Sequence, residues 1–169
     1  LGRDLAEVQI AIRAAEYWHD IKALVDDDCG YRESRYLQLA ENEADMARAE
    51  ARVAQMQANG FTHEEVIDES TLRAFEPNVA QQCIGALHVD GDGAADPART
   101  TQAFRRRAEA LGALVVEGAA VTSITQEGEG WRVLTSAGAF TGGALVNAAG
   151  AWGGKVAAML GETASVDPR

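Results

Sequence analysis

The sequence has few cysteines, few prolines and no long hydrophobic run. Its 169 residues include only two cysteines, Cys29 and Cys83, which are far apart and form no C-x-x-C pair, so neither a zinc knuckle nor a redox dithiol is indicated. No apolar run approaches the ~18 residues of a membrane-spanning helix, and the first residues lack the pattern of a signal peptide. These absences predict a globular protein of the reducing cytoplasm with no membrane partner.

Positive charge is also scarce. Fifteen lysines and arginines face 26 acidic residues, which gives a formal net charge of −11. Such a surface repels the phosphate backbone, so we expect no nucleic-acid partner. The basic run Arg105–Arg107 lies within a helical pattern that distributes its side chains around the helix, and we interpret it as a solvated face.

The common catalytic and metal-binding motifs are missing as well. The sequence contains no G-x-S-x-G, H-E-x-x-H or G-x-G-x-x-G, and the Walker motif suggested by Gly154-Lys155 lacks its first glycine and its Ser or Thr. The three histidines, His19, His63 and His88, have no ligand spacing and are interpreted as surface or half-buried imidazoles. "DGDG" (90–93) lacks the closing glutamate of a calcium loop, so it predicts a tight turn. No metal site is predicted.

The sequence predicts a chain of alternating helices and strands. Apolar residues at steps of three and four predict one long helix from Leu5 that ends before Asp26, and Asn42 and Asp96-Pro97 are predicted N-caps. The predicted helices cover 5–25, 43–58, 69–76, 97–111 and 151–160. The predicted strands are "YRESRYLQLA" (31–40), "EEVID" (64–68), "CIGALHV" (83–89), "ALVVEG" (113–118), "AAVTSITQEG" (119–128), "GWRVLTS" (130–136) and a return within "AFTGGALVNAAG" (139–150). The fold class is therefore mixed α/β, with an antiparallel first half.

The stretch "ALVNAAGAWGGKVAAML" (144–160) is a predicted strand, tight turn and helix. Alanine and glycine leave the backbone accessible, and the helix that follows would direct free N–H groups toward a phosphate. The same small residues would also let a strand and a helix pack closely, and Trp152 is at helical spacing with core positions. Both interpretations of the turn are open on the residues alone.

The order of segments carries more information than any single motif. "GALHVDGDGAADPART", "VTSI" (121–124), a hairpin and "NAAGAW" (147–152) follow one another, and this succession resembles the FAD-dependent oxidoreductases of the D-amino acid oxidase family, which includes glycine and sarcosine oxidases. The resemblance covers nearly the whole chain and is sharpest from Gly85 to Gly161.

The resemblance implies FAD as cofactor and a set of cofactor-binding positions. In that family, the segment matching Val121 contacts the adenine through its backbone. The turn matching Ala148, Ala149 and Gly150 lies close to the dinucleotide, and Trp152 opens the helix behind it. Tyr36 and His88 are candidates for lining the substrate site because they lie on strands that would cover it. No catalytic residue is assigned.

The sequence departs from the family at both ends. The family's first strand, its G-x-G-x-x-G turn and its first helix would precede Leu1, and further substrate-domain strands would follow Arg169. We therefore interpret the chain as an interior fragment with three parts: a long helix on the side of the FAD domain (1–28), part of an antiparallel substrate-binding domain (29–95), and part of the FAD-binding domain (96–169).

The resemblance implies oxidation of an amine or amino acid by hydride transfer to flavin in the parent protein. Because part of the expected site is missing, we expect the isolated chain to be inactive, to bind FAD weakly or not at all, and to self-associate through an exposed sheet edge. Two alternatives remain: a non-catalytic interaction module derived from this family, and one chain of a split flavoenzyme.

Overall fold

The computed structural model describes residues 4–164 and confirms the mixed α/β class. The helices are α1 (Val8–His19), α2 (Ile21–Val25), α3 (Glu43–Ala58), α4 (Glu69–Phe75), α5 (Pro97–Ala110) and α6 (Gly153–Ala158), with 3₁₀ turns at Leu5–Glu7 and Gly150–Trp152. The strands are β1 (Arg32–Ala40), β2 (Glu64–Asp68), β3 (Gly85–Ala94), β4 (Val121–Glu127), β5 (Gly130–Thr135) and β6 (Gly138–Gly142). Residues 1–3 and 165–169, which are the two ends of the predicted interior fragment, lie outside the described residues.

The chain divides into two compact units between Ala113 and Leu114. Each unit contains one antiparallel three-stranded sheet, with strand order β1-β3-β2 in the first and β4-β5-β6 in the second. This division places α5 with the first sheet. The three-part division at residues 28 and 95 remains a prediction.

The sheet of the first unit has helices on both faces. Leu87 and Val89 of β3 pack with Ala49 of α3 on one face. Ala86 packs with Ile67 and with Leu72 of α4 on the other face. Side chains alternate along a strand, so neighbouring residues of β3 belong to different clusters.

The predicted long first helix is interrupted at Asp20. The Asp20 carbonyl accepts hydrogen bonds from the N–H groups of Ala23 and Leu24 and so begins α2 as a new helix. The new helix places Ile21 and Val25 in a buried cluster with Cys29 and with Ala103 of α5. In α1, by contrast, Val8 alone is buried and half of the residues are exposed.

Residues 90–93 lie inside β3, with a bulge at Asp90–Gly91, and the predicted tight turn at this position is wrong. Ser34 pairs with Asp92 and Tyr36 with Val89, so two residues of β3 lie opposite Arg35 alone. Gly91 adopts a φ of +72° at this bulge, a conformation that glycine adopts without steric cost. The strand therefore continues to Ala94, beyond the predicted end at Val89.

The second unit is a meander with little buried apolar surface. Strands β4 and β5 pair from Glu127 and Gly130 onward, which confirms the predicted hairpin. Strands β5 and β6 pair from Thr135 and Gly138 onward. Among its described residues, the buried hydrophobic side chains are Ile124 and Ala157. The unit thus has sheet pairing without a core of ordinary size.

Two predicted strands of the second unit do not form. Residues 113–118 and 144–149 are extended or irregular and lie outside both sheets. Most of their large apolar side chains are exposed, up to 78% for Leu114 and 84% for Val146. A β-strand requires a hydrogen-bonded neighbour, and no described strand pairs with either segment. The last helix is also shorter than predicted, because Gly150–Trp152 form a 3₁₀ turn before it and it ends at Ala158, ahead of Gly161 with its φ of +73°.

Candidate functional site

The Ala/Gly turn is held by the side chain of Asn147. Its Oδ1 accepts a hydrogen bond from the Ala149 N–H at 3.2 Å, and its Nδ2 donates to the Gly153 carbonyl at 2.9 Å. The Trp152 N–H donates to the Ala149 carbonyl at 2.9 Å and closes the 3₁₀ turn. The side chain of Asn147 therefore spans the turn from its entry to the start of α6.

The outer surface of this turn is open backbone. Ala148 and Gly150 are exposed, and Ala149 is half-buried. Gly150 has a φ of +52°, and a Cβ added to it would meet no described atom within 4 Å. A ligand can therefore approach the main chain here without a side chain in between.

Trp152 follows directly and is 60% exposed, so it is not part of a core among the described residues. Its ring presents a large apolar surface at the N-terminal end of α6. Large exposed apolar side chains also occur at ligand-binding and partner-binding surfaces.

Val121 begins β4 in the same unit. It pairs with Thr135, and the register shifts between Val121 and Ser123, so its backbone lies at an irregular strand end. An apolar cavity of about 320 Å³ lies beside Thr135, lined by Leu114, Val116, Ala119, Thr135 and Phe140. The predicted cofactor-contacting residues thus lie on two segments of one unit, the start of β4 and the turn before α6.

Tyr36 and His88 lie on the predicted strands but on opposite faces of the first sheet. Tyr36 packs with the cluster beneath α3. The His88 ring lies 5.2 Å from the Phe75 ring of α4, measured between centroids. The two side chains therefore cannot line the same face of this sheet.

His88 is buried rather than superficial, which corrects its sequence-based interpretation. It is 5% exposed, its Nδ1 lies 2.8 Å from Glu65 Oε1, and its Nε2 has no hydrogen-bond partner among the described residues. Two features account for this burial: β3 is the central strand of its sheet, and the Phe75 ring covers one side of the His88 ring. His19 and His63 remain partly exposed, with side-chain exposures of 44% and 19%.

Sequence reasoning did not identify Asn147 as part of the site. An Asn that accepts from the N–H two residues later is a common turn signal, and "NAAG" contains that signal. Among residues 4–164, no group of three or more metal-ligating side chains forms a metal site, and no helix is long and apolar enough to cross a bilayer.

The family model described as FAD dependent oxidoreductase matches residues 2–169. The chain belongs to this family. The glycine oxidase of Geobacillus kaustophilus is 32% identical over 95 residues, which are 56% of this chain and 25% of that protein. The bifunctional protein ThiO/ThiG of Synechocystis sp. is 33% identical over 95 residues, which are 56% of this chain and 14% of that protein.

Solved structures agree on the fold. The crystal structure of G. kaustophilus glycine oxidase superposes with a TM-score of 0.83 at 22% identity, over 95% of this chain and 44% of that one. The L-proline dehydrogenase of P. horikoshii superposes with a TM-score of 0.81 at 27% identity, over 94% of this chain and 42% of that one. The chain thus spans less than half of these structures and no more than a quarter of those two curated relatives.

The turn before α6 is compatible with one edge of a bound FAD. Its exposed backbone, the left-handed glycine and the absence of side-chain bulk are what close approach of a dinucleotide requires. None of the candidate contact residues carries a positive charge that would pair with the pyrophosphate. The described site therefore fits part of the cofactor surface.

Proposed function

We propose that this chain is part of a flavoenzyme that oxidises an amine or amino acid, with hydride transfer from the α-carbon to the flavin. The observation that carries the proposal is the open turn Ala148–Gly150, in a chain whose family is defined by FAD. Similarity to proteins named glycine oxidase, dimethylglycine dehydrogenase and sarcosine dehydrogenase supports the substrate class. When bound, FAD supplies the electron acceptor for this chemistry.

The chain's own contribution to the cofactor site is positioning. The backbone at Val121 recognises the adenine edge, and the backbone of Ala148–Gly150 lies against the dinucleotide. Asn147 holds that turn in place through its two hydrogen bonds to Ala149 and Gly153. Trp152, which is 60% exposed, lies directly behind that turn at the start of α6.

The first unit contributes part of the substrate-binding domain. Its β1-β3-β2 sheet is the antiparallel surface that covers the substrate in the complete protein, and His88 and Tyr36 are on its two faces. We assign no catalytic residue to this chain, because His88 is closed off by Phe75 and Tyr36 packs beneath α3.

The isolated 169-residue chain is expected to bind FAD weakly and to be inactive. The candidate site offers backbone groups but no cationic side chain, and loss of the charge-assisted contacts at a pyrophosphate weakens binding by several kcal/mol. The chain should purify colourless and keep no flavin absorbance after incubation with FAD and desalting.

Restoring the N-terminal dinucleotide-binding unit implied by the family tests the assignment. The restored protein should retain FAD, and Gly150→Leu should weaken retention because its side chain would block approach to the turn. Gly128→Leu in the β4–β5 hairpin is the matched control: Gly128 also has a positive φ, +61°, and open space around its Cβ position, so the backbone strain is similar.

Three results would distinguish the proposed function from its alternatives. Equal loss of flavin in the Gly150 and Gly128 variants would contradict the assignment of the turn. A colourless restored protein would favour a non-catalytic interaction module. Isolation of the unmodified chain in a yellow complex with a second protein would favour a split flavoenzyme.

A further inference from the structure

The C-terminal end of α3 carries the dipeptide Asn59-Gly60 and is closed by backbone hydrogen bonds. The Phe61 N–H donates to the Met56 carbonyl, and the Gly60 N–H donates to the Gln57 carbonyl, each at 3.0 Å. Gly60 takes the left-handed conformation, with a φ of +84°. This pattern is a Schellman cap, with glycine at the position that follows the C-cap.

Asn59 is the C-cap residue of α3, and both it and Gly60 are exposed. The Asn59 Nδ2 donates to the Gln55 carbonyl at 2.9 Å. A Cβ added to Gly60 would meet no described atom within 4 Å. Water therefore reaches both residues of the dipeptide, although each is held to a carbonyl of the helix.

Asn59 is also the one asparagine of the sequence that is followed by glycine. The other three, Asn42, Asn78 and Asn147, precede Glu43, Val79 and Ala148. A backbone nitrogen can attack the side-chain amide carbon of the asparagine before it, and the attack is least hindered when that nitrogen belongs to glycine, which has no Cβ. The most reactive asparagine of the chain thus lies at a helix end.

We propose that Asn59 is a site of spontaneous deamidation and that the cap of α3 sets its rate. In the first step, the Gly60 nitrogen gives up its proton and bonds to Asn59 Cγ, and the side-chain nitrogen leaves as ammonia. The product is a five-membered succinimide ring. Water then opens this ring at either carbonyl and leaves aspartate or isoaspartate at position 59. Water is the only reactant, so no oxidant or cofactor takes part.

The folded cap opposes the first step in two ways. The Gly60 N–H, which must lose its proton, is bonded to the Gln57 carbonyl. The ψ of Asn59 is 11°, which turns the Gly60 nitrogen away from the Asn59 side chain. Ring closure therefore requires the end of α3 to open, and its rate follows the population of that open state.

The product weakens the helix end that controlled its formation. It places a carboxylate at the negative end of the helix dipole of α3 and removes the Nδ2 donor to the Gln55 carbonyl. Met56, which is fully buried, lies in the same helical turn. Because the released ammonia is lost to solvent, the change is permanent, and the modified chain keeps a less stable α3.

Incubation of the 169-residue chain in mildly alkaline buffer, with and without denaturing urea, measures the reaction. Trypsin places each asparagine in a separate peptide, with Asn59 in peptide 53–73. Mass spectrometry then follows the conversion of amide to acid in each peptide. In urea, Asn59 should react before the other three asparagines. Without urea, the folded cap should slow its conversion about tenfold or more.

Two variants test the role of the cap without changing the Asn59-Gly60 dipeptide. Phe61→Pro removes the N–H that donates to the Met56 carbonyl, and should raise the rate at Asn59 in the absence of urea toward the rate in urea. Phe61→Leu is the matched control, because it keeps the N–H and an apolar side chain, and it should react as slowly as the parent. Asn42, at the N-cap of α3, should keep its rate in both variants.

Fast conversion of Asn59 in urea, slow conversion in the folded chain and release by Phe61→Pro alone would establish the proposal. It is overturned if Asn59 reacts no faster than the other asparagines in urea, if folding does not slow it, or if Phe61→Pro reacts as slowly as Phe61→Leu. If the proline variant does not fold, the parent chain with and without urea still decides. Flavin retention is a separate measurement, so neither result bears on the proposed function.

Discussion

Asp27 is the most heavily bonded acidic side chain in the loop after α2. Its carboxylate accepts hydrogen bonds from the Cys29 N–H at 2.8 Å, from Arg99 Nε at 2.7 Å and from Arg106 Nη2 at 2.8 Å. The bond from Cys29, together with the two guanidinium groups, lowers the pKa of Asp27. The acidic run after α2 and part of the basic run on α5 thus form one structural contact, which neither run indicates by itself.

This contact makes stability depend on pH. Because the pKa of Asp27 is lower in the folded chain than in the unfolded one, its stabilising effect is present above its ordinary value near 3.8 and is lost as the pH falls through the lowered value. Asp27→Asn should therefore be less stable than the parent at neutral pH, and the difference should shrink below about pH 4. Urea unfolding across this range measures it. A constant difference at all pH values would show that the charge of Asp27 is unimportant.

The side chain of Asp96 acts locally, as a helix cap. Its side chain accepts from the Arg99 N–H at 2.9 Å, and Pro97 occupies the first position of α5, as predicted. Asp96→Ala removes this N-cap and should lower the free energy of unfolding by roughly 1 kcal/mol. Asp96→Asn, which keeps an acceptor oxygen, should lose much less. A denaturation midpoint that does not move in the alanine variant would show that the cap contributes nothing.

Among the elements, those specified by neighbouring residues were predictable. Helix α3 spans the predicted residues, and its N-cap Asn42 accepts from the Asp45 N–H. The β4–β5 hairpin is also local, since its strands are joined by a two-residue turn at Gly128. Periodicity and capping chemistry act over a few residues, so sequence patterns record them directly.

The secondary-structure predictions that were wrong concern elements that depend on residues distant in the sequence. The segments 113–118 and 144–149 have the apolar composition of buried strands, yet no described strand pairs with them. The bulge at Asp90–Gly91 was missed because it depends on register with Arg35 of β1, which is more than 50 residues away. At the candidate site, small residues were visible in the sequence, whereas the exposure of Trp152 and the bonding of Asn147 depend on how the turn folds.

Gly85 shows how tightly the start of β3 is packed. A Cβ there would come within 2.6 Å of the Ile67 carbonyl oxygen and 2.7 Å of Met46 Sδ, so both β2 and α3 exclude a side chain. Gly85→Ala should destabilise the chain by about 1–3 kcal/mol, the usual range for overpacking. Gly143→Ala is the control, because a Cβ at Gly143 meets no described atom within 4 Å. Thermal unfolding that ranks the two variants equally would contradict this account of the β2–β3 pair.

At the scale of the whole molecule, apolar exposure is concentrated in the second unit. The large hydrophobic residues exposed there are Leu114, Val115, Val116, Val121, Leu134, Val146, Trp152 and Met159. Contiguous apolar surface and unpaired strands favour association. The solved relatives with the same fold are more than twice as long as this chain.

The 169-residue chain should therefore self-associate in a concentration-dependent way. Light scattering over a wide concentration range measures this, and the paired substitution Leu114→Lys and Val146→Lys should reduce it by placing charge on both unpaired segments. Lysine at the exposed Ala47 of α3 is the corresponding control. A monomer that persists at every concentration would contradict the prediction.

The buried cluster of Ile21, Val25, Cys29 and Ala103 has a consequence for the order of folding. Its first three members are close in sequence, but the fourth belongs to α5 and follows more than 70 residues later. During synthesis, α1 and α2 therefore leave the ribosome long before the side chain that completes their packing. Closing so long a loop is slow, and we expect the first two helices to acquire protection from hydrogen exchange only after α5 has formed.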